Sequence, residues 1–270
     1  MIAYQTAVGI ETHLSMIAKD LSFKAERNPI KYFKQTEDLD FVNKKYIETN
    51  DGVIKAVTRT DSNANIIYTY PYSKDAIGKN ILYQAHMKKL LSNHEPVISD
   101  VFQAVQGYEA IAVHYPVIID GRYDGSLAYL ISFTELSNIY LHQFSDDEKD
   151  ITRLILSSEG VILNSCNSET RGKNINGMLE KDAILYSGIA KILSEEENDL
   201  SYVYKSKKKV GFYIKINLPF GNYWKILYSI DESSIMSEMH DFIIKTILLL
   251  IFLIAGTFYT THKIFSFNKL

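Results

Sequence analysis

Between Arg59 and His114 the chain carries side chains suited to holding a small polar molecule rather than reacting with it. Arg59 presents a planar fork of donors that fits a carboxylate, whether a ligand's or that of nearby Asp61. Tyr68, Tyr70, Tyr108 and Tyr115 offer aromatic walls with hydroxyl ends. Asp100 can accept from an ammonium group, or satisfy backbone donors at the start of a strand. His86 and His114 can sense pH or ligate a metal. A metal site needs more ligands at recognised spacing, and His86 in the Leu82/His86/Leu90 spacing reads as a buried, hydrogen-bonded histidine, so no metal or cofactor is expected. There is no HExxH, GxSxG or Gly-rich phosphate loop, and the acids and histidines are scattered, so no enzymatic activity is expected.

These residues sit in a module that the chain contains twice. Residues 66–81 read IIYTYPYSKDAIGKNI and residues 160–175 read GVILNSCNSETRGKNI, so Gly-Lys-Asn-Ile recurs at Gly78 and Gly172, 94 residues apart. That interval is too long for a solenoid unit and suits a whole small domain. In the first copy, Val53–Arg59 and Ile66–Tyr70 predict a hairpin across the polar turn Asp61–Asn65, and Lys79–Leu91 predicts a helix. Strands follow over Val97–Val105, Tyr108–Ile118 and Ser126–Phe133, the last two joined by a turn over Asp120–Gly125. The second copy repeats the order: Arg153–Leu156, Val161–Leu163, a helix over Met178–Leu193, then strands over Ser201–Lys205, Val210–Leu218 and Tyr223–Ile230. Residues 145–150 form a charged connector. Alternation puts Tyr108, Ala110, Ala112 and His114 on one face of their strand, and Ser126, Ala128, Leu130 and Ser132 on one face of the next. Such small residues leave room either for a ligand or for a closely packed helix.

That helix is available upstream. Ala3, Ala7, Ile10, Leu14, Ile17 and Leu21 form one stripe of a helix that should stop near Asn28, before Pro29, and a second helix follows Thr36 and ends near Asn50-Asp51-Gly52. The seam can pack on the same chain or pair two copies in a homodimer. At the other end Phe242–Tyr259 holds a single charge, Lys245, and approaches the roughly 20 apolar residues of a bilayer span. Acidic residues precede this segment and His262, Lys263 and Lys269 follow it. The positive-inside tendency therefore puts residues 263–270 in the cytoplasm and the lobes outside the cell membrane. No export signal is visible near Met1, so the reading expects a start further upstream, a lost signal, or tail anchoring. With 46% hydrophobic and 23% charged residues, 270 residues can build two cores, and a formal net charge of −3 argues against nucleic acid as partner. The basic run Lys205–Lys209 reads as a solvated hairpin tip. Cys166 is the only cysteine, which excludes an intrachain disulfide and reads as a small buried thiol.

In their order, the long helix, RTDSNANIIYTYP with GKNI, PVISDVF, YEAIAVHYPVIIDGRYDGSLAYLI, and SSEGVILNS with GKNI ahead of a membrane span resemble the double Cache domain. This is the tandem PAS-like extracytoplasmic sensor of bacterial and archaeal chemoreceptors, sensor histidine kinases and cyclic-dinucleotide enzymes. The resemblance implies an α+β fold: a long N-terminal helix with two stacked PAS-like lobes, each an antiparallel sheet with flanking helices, then a C-terminal transmembrane helix. It divides the chain into helices over 1–44, a membrane-distal lobe over 45–141, a proximal lobe over 142–232, a stalk and span over 233–262, and a tail over 263–270. It further implies a small-molecule ligand in the distal lobe, a carboxylate or an amine, contacted by Arg59, Tyr68, Tyr70, His86, Asp100, Tyr108 and His114. The arginine and tryptophan arrangement by which members recognise amino acids is not seen around Tyr46–Arg59, so an amino-acid ligand is not implied. No kinase, cyclase or methyl-accepting output module follows, which implies a separate kinase or chemotaxis signalling chain, or a gene fragment. The rivals are a structural scaffold whose pocket is lost and a solute-binding protein.

Overall fold

The computed structural model describes residues 2–27, 37–50, 52–141, 151–165, 170–175, 177, 197–204 and 207–267. The connector over 145–150, Cys166, the helix expected over Met178–Leu193, Pro29 and Lys205 lie outside these described residues. Helix α1 (Ile2–Arg27) buries the predicted stripe, with Ala3, Ala7, Ile10, Leu14, Ile17 and Leu21 all at most 3% exposed. Helix α2 (Glu37–Glu48) carries Glu37, Asp38 and Asp40 in its first turn, where carboxylates suit the helix dipole.

Two antiparallel sheets follow, with one topology. The first holds β1 (Ile54–Thr60), β2 (Ile66–Tyr70), β3 (Val97–Ile98), β4 (Phe102–Gln103), β5 (Glu109–Ile119) and β6 (Arg122–Ser132) in the order β2-β1-β6-β5-β3, with β4 also on β5. The second holds β7 (Ile151–Ser157), β8 (Ile162–Ser165), β9 (Glu197–Tyr204), β10 (Lys207–Asn217) and β11 (Tyr223–Asp231) in the order β8-β7-β11-β10-β9. The chain also forms α3 (Ala85–Asn93), α4 (Phe133–Leu141) and α5 (Glu232–Phe267), the last running directly on from β11.

The repeated tetrad is one device used twice. Gly78 N–H donates to Ile66 C=O and Ile66 N–H to Lys79 C=O, while Gly172 N–H donates to Ile162 C=O and Ile162 N–H to Lys173 C=O. Ile81 and Ile175 then close onto Ala64 and Gly160, and the Asn80 and Asn174 amides donate to the carbonyls of Asn63 and Glu159. Both glycines have φ near +79°, which explains why that position is glycine in each copy.

Three sequence expectations change. Residues 79–84 are not helical, and α3 begins at Ala85: Asn80 is held by Asn63 and Asn65 and accepts from Leu82 N–H, so backbone groups a helix would need are engaged locally. Leu82 is consequently exposed, while His86 and Leu90 stay buried with Met87. The strand expected over Val97–Val105 breaks into β3 and β4, and the expected six-residue turn contracts to Asp120-Gly121, both at positive φ, as a two-residue hairpin prefers. The basic run sits at the expected hairpin end, where Lys207 and Lys208 are exposed, and it is also clamped. Lys207 and Lys209 both pair with Asp231, Lys208 pairs with Glu232, and Lys209 is buried.

A single core cluster joins α1 to both sheets, taking Ile111, Val113, Tyr129 and Ile131 from the first and Ile155, Ile216, Trp224 and Ile226 from the second. The start of α1 meets the second sheet, where Thr6 bonds to the Tyr228 hydroxyl, and its end meets the first, where Asp20 accepts from Tyr129 and Glu26 from Tyr115. Helix α1 is thus a spine shared by both lobes, and its N-terminus lies at the lobe from which α5 departs.

Candidate functional site

The sheet of the first lobe has two unlike faces. Ile111, Val113, Leu127, Tyr129 and Ile131 face the α1 core. Cross-strand partners on the opposite face are Ala110↔Ser132, Ala112↔Leu130 and His114↔Ala128. The small residues therefore do not make room for the long helix, which occupies the other side. Ala56, Ala110, Ala112 and Leu130 instead form a separate buried cluster with Ala104, covered by Phe102 and Tyr108.

Over this face the chain folds a short cap. Ala104 N–H donates to Tyr108 C=O and Gly107 N–H to Ala104 C=O, and β4 fixes the cap's start on β5. Beneath it is a cavity of about 20 Å³ lined by Thr58, Gln84, Gln106, His114, Ala128 and neighbouring apolar residues, a volume on the scale of one water. Polar groups without a hydrogen-bond partner gather here: both amide atoms of Gln106, the Tyr108 hydroxyl and Nε2 of His86. Buried polar atoms are normally satisfied, so such a group of orphans needs an explanation. The rings of His86 and His114 lie 5.2 Å apart between centroids, with Phe102 4.8 Å from His86. His114 Nδ1 bonds to Ser126 Oγ at 3.0 Å, and Ser126 bonds to Thr60 Oγ1 at 2.8 Å. Burial lowers the pKa of His86 to about 4, and burial together with His86 holds that of His114 well below its ordinary value. Burial pushes the Tyr108 hydroxyl up to about 12. At neutral pH the cavity is uncharged.

Of the residues expected to contact a ligand, His114 lines this cavity and His86 and Tyr108 stand beside it. Arg59, Tyr68 and Tyr70 do not reach it. Arg59 pairs across the sheet with Leu127 and Tyr68, hence on the opposite face, and its guanidinium bonds to the carbonyl of Thr60 and to Asp124 at 2.6 Å. Asp61, its expected partner, instead accepts from Asn63 and Asn65 within its own turn. Tyr68 donates to Asp40 and accepts from Asn43 on α2, and Tyr70, beside Val57, shares that side. Asp100 leaves the lobe altogether: it accepts from the Trp224 indole at 3.1 Å, at the start of β11. Gln84, Gln106, Thr58 and Phe102 were not foreseen, and only Gln106, beside the turn glycine Gly107, carries a local signal.

Residues 12–132 match the family model described as the HK/GC/chemotaxis protein-like sensor domain. Over this part, somewhat less than half of its length, the chain is similar to that family. Solved structures agree with the fold over most of the chain. The ligand-binding domain of the Pseudomonas fluorescens chemoreceptor CtaA, in complex with L-serine, matches with a TM-score of 0.66 and 18% identity, over 86% of this chain and 94% of that one. The ligand-binding domain of the Pseudomonas aeruginosa PAO1 amino-acid chemoreceptor PctB, in complex with L-Arg, gives 0.66 and 10% over 86% and 93%. An extracellular ligand-binding receptor from Desulfohalobium retbaense gives 0.67 and 20% over 85% of this chain, which spans 39% of that structure's length. No curated protein matches in sequence. The fold, two antiparallel sheets packed on one long helix, is thus shared with these ligand-binding domains.

Proposed function

We propose that this sensor domain binds a compact, uncharged polar molecule under the cap of the distal lobe, outside the cell, and reports it through α5 as membrane anchor. The observation that carries the reading is the gathering of unpartnered polar groups, from Gln106, Tyr108 and His86, against the one sheet face built from alanines. Carboxylate and ammonium ligands fit less well there, because Arg59 pairs with Asp124 on the other face of the sheet and Asp100 lies outside this cavity. The structures solved with L-serine and L-Arg imply ligand binding in this fold, not the same ligand. A ligand larger than water must displace the cap, so it acts by favouring the cap-open arrangement.

A route for that displacement is continuous. Asp100 immediately precedes the cap and holds Trp224; β11 runs from Tyr223 to Asp231; α5 starts at the next residue, its entry fixed by the lysine clamp on Asp231. Helix α5 is long and apolar enough to cross a membrane, and its residues from Met236 to His262 are exposed. A homodimer would set two such helices side by side. The predicted seam on α1 is used internally, but Tyr4, Val8, Met16 and Phe23 leave a second, exposed apolar stripe for it. Output would then pass to a separate kinase or chemotaxis signalling chain.

A thermal-shift screen of residues 1–241, which keep every buried residue described, tests the reading. Amides, polyols and nucleobases should include a stabilising ligand worth about 2.7 kcal/mol at a hundredfold excess over Kd. Stabilisation only by carboxylates, or by nothing, contradicts it.

A further inference from the structure

Between the lobes lies a groove of about 640 Å³, within the range of small-molecule sites, which adjoins the cavity under the cap at Gln84 and Phe102. One wall comes from the distal lobe, with Gln84, His86, Ser99 and Asp100; the other comes from the β7–β8 turn and the turn before β11, with Ser158, Glu159 and Asn222. Neither lobe alone makes the site.

Its chemistry is that of an acceptor. Asp100 is a half-buried carboxylate that accepts from the Trp224 indole and from Asn222, both of the other lobe. Burial raises its pKa, and the negative charge of Glu159 from the other lobe raises it further, so two carboxylates face a common space. His86, 7% exposed and held neutral by burial, stands in the groove's distal wall and adds no charge to it. The groove's cation, Lys89, is on an exposed stretch of α3.

The position of Glu159 is built. Its N–H donates to Ser157 Oγ and its carbonyl accepts from Asn174, the asparagine of the second Gly-Lys-Asn-Ile passage. In the first copy the same turn carries Asn63, whose N–H donates to Asp61 and whose carbonyl accepts from Asn80. One fold device thus presents a neutral amide in the distal lobe and a carboxylate at the interlobe groove.

We propose that the interlobe groove is a second binding site, for a small organic ammonium held between Asp100 and Glu159. A primary ammonium has three donors and no acceptor, which matches two carboxylates set on opposite walls. Because the carboxylates belong to different lobes, the bound cation ties the lobes together where Asp100 already meets Trp224. It therefore tunes the route from cap to α5 rather than replacing the distal ligand. The proposal does not rest on the cavity under the cap.

The test is titration calorimetry on the full chain in nanodiscs with n-butylammonium, with 1-butanol as its neutral counterpart. Saturable binding of the amine alone is expected, weakened about tenfold by Asp100→Asn, which keeps an acceptor for Trp224, and by Glu159→Gln on the surface. Ala128→Leu, which fills the distal cavity, should leave amine binding unchanged, so failure there and failure here are separable. Absence of saturable amine binding overturns the proposal. So does binding that survives both charge-neutralising variants, equal binding of 1-butanol, or stoichiometric displacement of the amine by Mg²⁺ or Ca²⁺.

Discussion

Acidification should loosen the distal lobe through His86. The imidazole is 7% exposed, packs on Phe102 and His114, and burial lowers its pKa from 6.5 to about 4. A histidine kept neutral in the fold binds fewer protons folded than unfolded, so its effect on stability is constant above the unfolded value near 6.5. Stability is then lost as pH falls from there towards about 4, below which the loss levels off. At about 1.4 kcal/mol per pH unit, His86 accounts for a loss on the order of 3 kcal/mol across that window. His114, also shifted down, adds to it, and replacing His86 also relieves His114 of its neighbour's charge. Urea denaturation of residues 1–241 between pH 7.5 and 4, for wild type and His86→Leu, measures the difference. The variant should match wild type within about 1.5 kcal/mol at pH 7.5, as a near-isosteric exchange, and lose about 3 kcal/mol less on acidification. Parallel pH profiles for the two proteins would refute the burial argument.

Asp231→Ala takes the paired carboxylate away from buried Lys209 and should destabilise the second sheet's lobe by about 3 kcal/mol, read by chemical denaturation. Gly78→Ala and Gly172→Ala should cost about 1 kcal/mol each, because both positions hold φ near +79° with open space around a new methyl; unequal costs would argue against a shared device. Trp224 is the chain's one tryptophan, so Asp100→Leu should change its fluorescence and cost about 1–3 kcal/mol by orphaning the indole N–H. Ala128→Leu should abolish distal ligand binding while costing about 1–3 kcal/mol by overpacking.

The spine was readable from residue spacing because α1 is one uninterrupted helix, and burial on a helix follows its period. The twin Gly-Lys-Asn-Ile passages were readable because the clamp is local, with Gly78 bonding to Ile66 only twelve residues back. What the spacing misjudged turned on side chains capturing backbone or on partners distant in sequence. Leu82, His86 and Leu90 have helical spacing, yet Asn80 engages the backbone there and α3 starts later. Arg59 has Asp61 two residues away, but pairing of β1 with β6 brings Asp124 to its guanidinium instead. For Asp100, the partner Trp224 belongs to the other lobe, and no local pattern announces it. The candidate site was half visible: alternation named the alanine face and His114, while which face α1 would cover depended on packing.

The central claim is that a ligand under the cap reaches α5 through β11. Amide hydrogen exchange on the full chain, with and without a stabilising molecule from the thermal-shift screen, measures it most directly. The account predicts that exchange changes together in the cap over 102–108 and in the first turns of α5 after Glu232. A change confined to the cap, or one in α5 that persists in Ala128→Leu, would contradict it.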